Sequence, residues 1–183
     1  CITHRKNPIY SATIVGKPPM EDCFLAKATE RIFLPLLQQT LPEIRDINFP
    51  LEGVFHDCVM VSIKKTYPQQ AKKVMHAIWG MGQMMFTKMI IVVDEHVDVQ
   101  KEKEVWWRVF NNIDAKHDIV MVEGPLDALD HSSPMAKWGT KIGIDATKTW
   151  PEEGHTREWP DEINMSDDIK KLVDAKWQEL GLE

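Results

Sequence analysis

The stretch "GVFHDCVMVSI" (Gly53–Ile63) decides the fold. It is apolar at nearly every position, as a β-strand covered on both faces is, with no alternation to give it a wet side. Downstream, "PQQAKKVMHAIWGMG" opens with Pro68, favourable in a helix's first turn, and sets Ala71, Val74, Met75, Ile78 and Trp79 on one stripe. "KMIIVVD" (Lys88–Asp94) is a second buried strand. "VDVQKEKEVWWRVFNNID" then reads as a helix, with Asp98 as N-cap and Trp106, Val109, Phe110 and Ile113 as its apolar face. "DIVMVEG" (Asp118–Gly124) is a third buried strand. A strand–helix–strand–helix–strand unit predicts an α/β fold, a mostly parallel sheet with flanking helices and right-handed crossovers.

Outward from this unit the signals change. "EIRDINF" (Glu43–Phe49) alternates apolar and polar residues like a half-buried strand. Before it, Glu21–Gln39 carries Phe24, Leu25, Ala28, Ile32 and Leu36 at helical spacing, with Pro35 expected to kink or interrupt the helix. "SATIVG" (Ser11–Gly16) is a short β-rich run. After Gly124 the sequence turns loop-like to about Asn164, rich in Pro, Gly, Trp and charge, and a loop of that length is usually functional or wraps a partner. "SDDIKKLVDAKWQEL" closes as a helix, with Ser166 as N-cap and Ile169, Leu172, Val173, Trp177 and Leu180 as its stripe.

Composition excludes several classes. Of 183 residues, 43% are hydrophobic and 27% charged, enough for one packed domain or one domain plus the edge of another. A net charge of −6 without a long Lys/Arg cluster argues against nucleic-acid binding. The three cysteines, Cys1, Cys23 and Cys58, form no CxxC pair, which argues against zinc and suits a reducing cytoplasm. No apolar run is long enough to span a bilayer, and no signal peptide is present. The chain begins with Cys and its first residues already read as strand and turn, so a piece of a longer protein is expected.

Candidate chemistry is thin. The glycines of "GMGQMM" (Gly80–Met85) end a helix and precede a strand, the reverse of a dinucleotide fingerprint, so they read as a helix C-cap. No strand-to-helix junction carries a glycine-rich turn, which removes a nucleotide-binding reading. Met81, Met84, Met85 and Phe86 are either core or the lining of an adaptable ligand pocket. The seven histidines are scattered, with none paired at i, i+4, and His131 is the best placed, beside acids after a strand end. Glu123, Asp127 and Asp130 crowd past that same strand end. Such acids can transfer protons if burial raises a pKa, or they can cap a turn and pair with Lys137 and Lys141.

Several stretches together resemble one family. They are "THRKNPIYSATIVGKPPMED" (Thr3–Asp22), "KATERIFLPLL" (Lys27–Leu37), "MHAIWGMGQMMFTKMIIVVDEHVDV" (Met75–Val99), "RVFNNID" (Arg108–Asp114), "EGPLDALDHSS" and "GTKIGIDATK". Taken in order over nearly the whole chain, they resemble the C-terminal portion of the UbiD-type decarboxylases. Those enzymes use prenylated FMN and include the polyprenyl-hydroxybenzoate carboxy-lyases of ubiquinone and menaquinone synthesis. The resemblance implies the end of a split β-barrel flavin-binding domain over 1–20, a linking helix over 21–42, an α/β C-terminal domain over 43–150, and a tail and helix over 151–183.

It further implies non-oxidative decarboxylation of an aromatic or α,β-unsaturated acid, with a divalent metal (Mn or Mg) holding the flavin phosphate. A flavin prenyltransferase would supply the cofactor, and the setting would be a cytoplasmic homo-oligomer with room for peripheral membrane contact. In the family the proton donor lies in a Glu-Gly-Pro-Phe-Gly-(Glu/Asp) motif before the barrel strand. "EGPLD" at Glu123 imitates its start but comes after that strand and lacks Phe-Gly, so no catalytic, cofactor-binding or metal-binding residue is expected in this chain, which alone would be inactive. Pocket-wall residues are expected at Ala26, at Met84, Met85 and Phe86, and at Pro125 and Leu126. At Met81 some relatives carry a Lys near the flavin, so flavin contact from that position is in doubt. The alternative from a different class is a self-associating assembly module, its aromatic tail (Trp138, Trp150, Trp159, Trp177) clasping a neighbour.

Overall fold

A computed structural model of the chain describes residues 6–7, 16–177, 179 and 181. The strand expected at Ser11–Gly16 and most of the 1–20 barrel segment, like Leu180 of the terminal stripe, lie outside the described residues. The order of elements is α1 (Glu21–Thr40), β1 (Ile44–Asn48), β2 (Cys58–Ile63), α2 (Gln70–Trp79), β3 (Met89–Asp94), α3 (Glu102–Asn112), β4 (Ile119–Pro125), β5 (Trp138–Asp145) and α4 (Asp167–Ala175).

One five-stranded sheet runs in the order β1-β2-β3-β5-β4. β3 pairs in parallel with β2 and with β5, while the edge strands β1 and β4 pair antiparallel with β2 and β5. The α/β expectation holds, but the sheet is mixed and not mostly parallel. The third parallel strand is β5, inside the region expected to be loop, and it slots between β3 and β4. Its own residues hid it: Gly139, Lys141 and Gly143 face inward where a buried strand normally shows Val or Ile. β4, expected to be buried, is a half-exposed edge with Met121, Glu123 and Pro125 turned outward.

Period-two alternation along β3 splits the interior in two. Ile90 and Val92 join Val59, Val61, Ile63, Ile44 and Ile47 against α2's Ala71, Val74, Met75 and Ile78 and α1's Ala26 and Leu37. Ile91 and Val93 join Met60, Ile144 and Ala146 against Val105 and Val109 of α3. All four β3 residues are fully buried, so helices cover both faces. Each large side chain so buried contributes about 1.5–3 kcal/mol.

The α2 stripe packs as expected and Gly80 ends that helix, its N–H donating to His76 and Ala77. Pro68, however, precedes the helix start instead of lying in its first turn. The next turn bends at Gly82, whose φ of +43° suits glycine. Two other helices present different faces from those expected. α1 is not interrupted at Pro35, and it buries Cys23, Ala26, Glu30 and Leu37 while Phe24, Leu25, Ile32 and Leu36 face outward. Polar bonds set that face: Glu30 Oε2 accepts from Phe49 N at 2.8 Å, and Arg31 reaches Asp46 at 2.7 Å. α3 buries Val105, Arg108, Val109 and Asn112, with Asn112 donating to Ala146 O, and leaves Phe110 exposed. Asp98 is not its N-cap; its carboxylate accepts from Gln100 N in a turn ahead of the helix. Ser166 does cap α4, accepting from Ile169 N.

Gly143 lies where β5 passes under α2, and a Cβ there would stand 2.6 Å from Met75 Sδ and 3.1 Å from Trp79 Cη2. Gly143→Val is therefore expected to destabilise the protein by about 1–3 kcal/mol through overpacking, read as a lowered urea midpoint; an unchanged midpoint would contradict this packing.

Candidate functional site

Ligands in parallel α/β sheets usually sit beyond the carboxyl ends of the strands. Here that end is closed. Lys65, just past β2, donates to Thr147 Oγ1 at 3.1 Å and to Lys148 O at 3.2 Å, and pairs with Glu153 at 2.5 Å. Both partners of the pair are almost fully buried, and Lys65 lies 5.3 Å from the Trp150 ring. Glu153 also accepts from Gln69 N and Trp150 N. Burial would raise the Glu153 pKa, but its bonds to Lys65, Gln69 and Trp150 outweigh that and hold it low. Asp94 and Asp145 are pushed upward by burial, although Asp94 accepts from Lys148 N and Asp145 from the Thr147 amide and hydroxyl. These groups form a polar knot that straps residues 147–153 over the strand ends.

Because β4 runs antiparallel to β5, its carboxyl end falls at the amino ends of β2, β3 and β5. The acids after β4 therefore sit at the opposite end of the sheet from the usual ligand crevice. Glu123 is exposed on the strand itself. Asp127 accepts from Leu129 N at 2.8 Å and approaches His56 Nε2 at 3.3 Å. Asp130 accepts from the amide and hydroxyl of Ser132 and meets Lys88 Nζ at 2.8 Å. Burial pulls its pKa up, but Lys88 and Ser132 prevail and hold it down. The partners are thus Lys88 and His56, not Lys137 and Lys141. Asp127 and Asp130 thus make the local bonds that shape the loop.

Around that loop the structure gathers most of the expected wall. The 3₁₀ turn Gly82–Phe86, which carries Met84, Met85 and Phe86, touches the β4 strand that ends at Pro125. Met84 packs on the core, Met85 and Pro125 are exposed, and Leu126 is buried. Ala26 is not part of this group. It is fully buried under α1, which packs on β1 at the other edge of the sheet. The histidine that matters here is His56, between the Phe55 and Phe86 rings at 4.9 and 6.0 Å, whereas His131 is exposed. Asp57 beside it is raised, first by burial and then, against the pull of His56, by Asp130 and Asp127. Lys141 is buried and donates to Met85 O, and desolvation lowers its pKa. Sequence reasoning missed His56, Lys88 and this role of Lys141; only the "FHDC" step into a strand hinted at the first.

The Cys58 thiol is pushed up to about 12 by burial and the nearby acids Glu102, Asp57 and Glu52, so it is no nucleophile at neutral pH. Among the described residues, no group of three or more His, Cys, Asp or Glu could hold a metal ion. These residues do not fit a metal centre, and no chemical step is assigned to one here. A separate groove of about 1110 Å³ opens between α3 and residues 148–164, lined by Trp107, Arg108, His155, Trp159 and Glu162 among others; the wall residues do not reach it. The tail tryptophans expected to clasp a neighbour are partly engaged within the chain. Trp150 faces Lys65, and Trp159 stacks on His155 at 4.4 Å and donates to Thr149 O. No helix among the described residues is long and apolar enough to cross a membrane.

Comparison with known proteins gives a consistent result. Residues 23–146 match the 3-octaprenyl-4-hydroxybenzoate carboxy-lyase C-terminal domain family. An uncharacterized protein of Archaeoglobus fulgidus is 56% identical over 180 residues, 98% of this chain and 37% of that protein. Among solved structures, the open form of the vanillic acid decarboxylase of Sedimentibacter hydroxybenzoicus superposes with a TM-score of 0.77 at 30% identity, covering 97% of this chain and 38% of that one. The UbiD-class enzyme HmfF of Pelotomaculum thermopropionicum, in complex with FMN, gives 0.70 at 26% identity, covering 83% and 34%. The chain thus spans under two-fifths of the length of these relatives.

The polar knot has a pH signature. A carboxylate whose folded pKa is depressed stabilises the fold above its unfolded value and loses that contribution as pH falls through the folded value. Glu153→Gln should cost about 1–3 kcal/mol at neutral pH, and the gap should close at an acid pH below the lowered carboxylate value, where the wild-type side chain protonates in the folded state. Denaturant unfolding at both pH values measures it; a gap independent of pH would show that Glu153 does not act through its charge.

Proposed function

The chain belongs to the UbiD carboxy-lyase family through its C-terminal domain, and from that premise we propose that it supplies one wall of a decarboxylase pocket. The reaction is non-oxidative loss of carbon dioxide from an aromatic or α,β-unsaturated acid, with prenylated FMN and a divalent metal (Mn or Mg) held elsewhere in the whole protein. When bound, the prenylated flavin accepts the electron density that departing carbon dioxide leaves on carbon. This chain's part is to orient the acid's apolar body and exclude water at one side of the pocket. The observation that supports this reading is the meeting of the Met84–Phe86 turn with β4, the strand that ends at Pro125. Two lysines pin that region, Lys141 to the turn and Lys88 to Asp130 and Ser132. Exposed, flexible Met85 suits a pocket that adapts to substrate shape. A polyprenyl-hydroxybenzoate of quinone synthesis and a small aryl acid both satisfy this chemistry.

The test uses protein expressed from the whole reading frame together with a flavin prenyltransferase. It is offered 4-hydroxybenzoate, vanillate, 3,4-dihydroxybenzoate, cinnamate and a polyprenyl-4-hydroxybenzoate. Carbon dioxide release from at least one acid is expected, and Met85→Trp should raise KM for that acid about tenfold at unchanged flavin content. Silence across the panel, with prenylated flavin visibly bound, would overturn the reading.

A second reading, self-association, is favoured by α4. Its Ile169 and Leu172 are exposed on a strongly amphipathic helix, no residue of which is buried. A stripe of that kind usually meets a partner surface, here a second copy. Leu172→Glu should lower the sedimenting mass, and a variant that sediments like the wild type would sink this reading.

A further inference from the structure

Lys141 is a charged side chain on the inward face of a central strand, only 3% exposed. Among the described residues no carboxylate pairs with it, and its hydrogen bond runs to the carbonyl of Met85. The sequence around it makes the room. β5 turns Gly139, Lys141 and Gly143 to the same face. A Cβ on Gly139 would stand 2.7 Å from Leu126 Cδ1, and one on Gly143 would stand 2.6 Å from Met75 Sδ. The two glycines therefore let Leu126 and Met75 close in from either side while the lysine passes between them. On neighbouring β4, Gly124 lies against the lysine stem: a Cβ there would stand at ordinary contact, 3.4 Å from Lys141 Cε, and a larger side chain would reach the stem. Three glycines thus frame a slot through which one ammonium reaches the 3₁₀ turn.

At the other end of the slot, the Met85 carbonyl needs a donor. In a continuing 3₁₀ helix it would accept from Lys88 N, but that amide donates instead to Asp57 O. Lys141 takes the vacant place, as basic side chains do for the last carbonyls of helices. Leucine or methionine at 141 would fill the slot without desolvating a charge, so packing alone does not account for a lysine.

We infer that Lys141 is a positioning residue: by holding the Met85 carbonyl from β5, it fixes where Met84, Met85 and Phe86 stand in the substrate wall. The inference rests on the proposed pocket-wall reading and adds to it the residue that sets the wall's position. Lys141 touches no reacting atom; it acts through the turn. Removing it should loosen the turn and weaken substrate binding while leaving the chemical step largely intact.

The test compares wild type, Lys141→Met and Gly124→Val in protein expressed from the whole reading frame. Two readouts are taken: hydrogen exchange at the Met85–Thr87 amides, and kcat and KM on whichever acid of the panel the wild type turns over. Lys141→Met should speed exchange of these amides about tenfold, with β2 and β3 unchanged, and raise KM about tenfold with a much smaller change in kcat. Gly124→Val, whose methyl groups extend past ordinary Cβ contact into the stem but leave the ammonium, should move both in the same direction by less. Unchanged exchange in the turn overturns the inference whatever the kinetics. A loosened turn with unchanged KM leaves Lys141 a mere cap and overturns the wall reading beneath the inference. If Lys141→Met loosens β2 and β3 as well, Gly124→Val decides by the same two readouts. A wild type that turns over no acid of the panel overturns both.

Discussion

The structure depends on one strand serving two interiors. In β3, Ile90 and Val92 point to the α1/α2 side while Ile91 and Val93 point to α3, and none of the four touches water. Because side chains alternate every residue, a slip of one position would exchange the two sets and fit neither helix layer. That constraint fixes β2 and β5 on either side in parallel register, and it sends the polar connections to the two ends of the sheet. The ends then differ in character. At the carboxyl end a buried Lys65–Glu153 pair and its neighbours tie a strap over the strands. The amino end, joined by the returning end of β4, carries the apolar turn and the loop at Pro125–Leu126.

Elements whose burial is purely apolar were legible in the sequence. The runs read as strands at Gly53–Ile63 and Lys88–Asp94 and the stripe of α2 are of this kind; the structure keeps strand over Cys58–Ile63 and Met89–Asp94, while Gly53 ends a 3₁₀ turn and 54–57 bend into β2. Reading failed where polar groups are buried with partners distant along the chain. Glu30 turns α1 inward through Phe49, and Arg108 does the same for α3 through Glu162. An apolar stripe was sought where a hydrogen-bonded one exists. β5 was hidden for a related reason, since glycine and lysine do not advertise a buried strand. With it went the direction of β4, because only β5 reveals that β4 runs backwards.

The same limit governs the candidate site. Met84–Phe86 and Pro125–Leu126 were reached through family resemblance, and the fold brings these segments to one region. Ala26 was reached in the same way, but the fold places it under a helix at the far edge. His56 had only its place in the "FHDC" step into a strand, Lys88 had no signal of its own, and Lys141 was read only as a partner for the nearby acids. Their partners Asp127, Asp130 and Met85 lie 71, 42 and 56 positions away, from 56 to 127, 88 to 130 and 141 to 85. No periodicity spans such distances; only the path of the backbone does.

The strand order also carries a message about time. Of this sheet's strands β5 is the last to leave the ribosome, yet it occupies the slot beside the most apolar strand of the sheet. Until residue 145 has emerged, β3 keeps one edge of unpaired amides and carbonyls, and a nascent chain in that condition invites pairing with its neighbours. Assembly of this domain is therefore expected to wait for its final strand. Chains that stall in the hairpin between β4 and β5 should be the ones that most need a chaperone's protection.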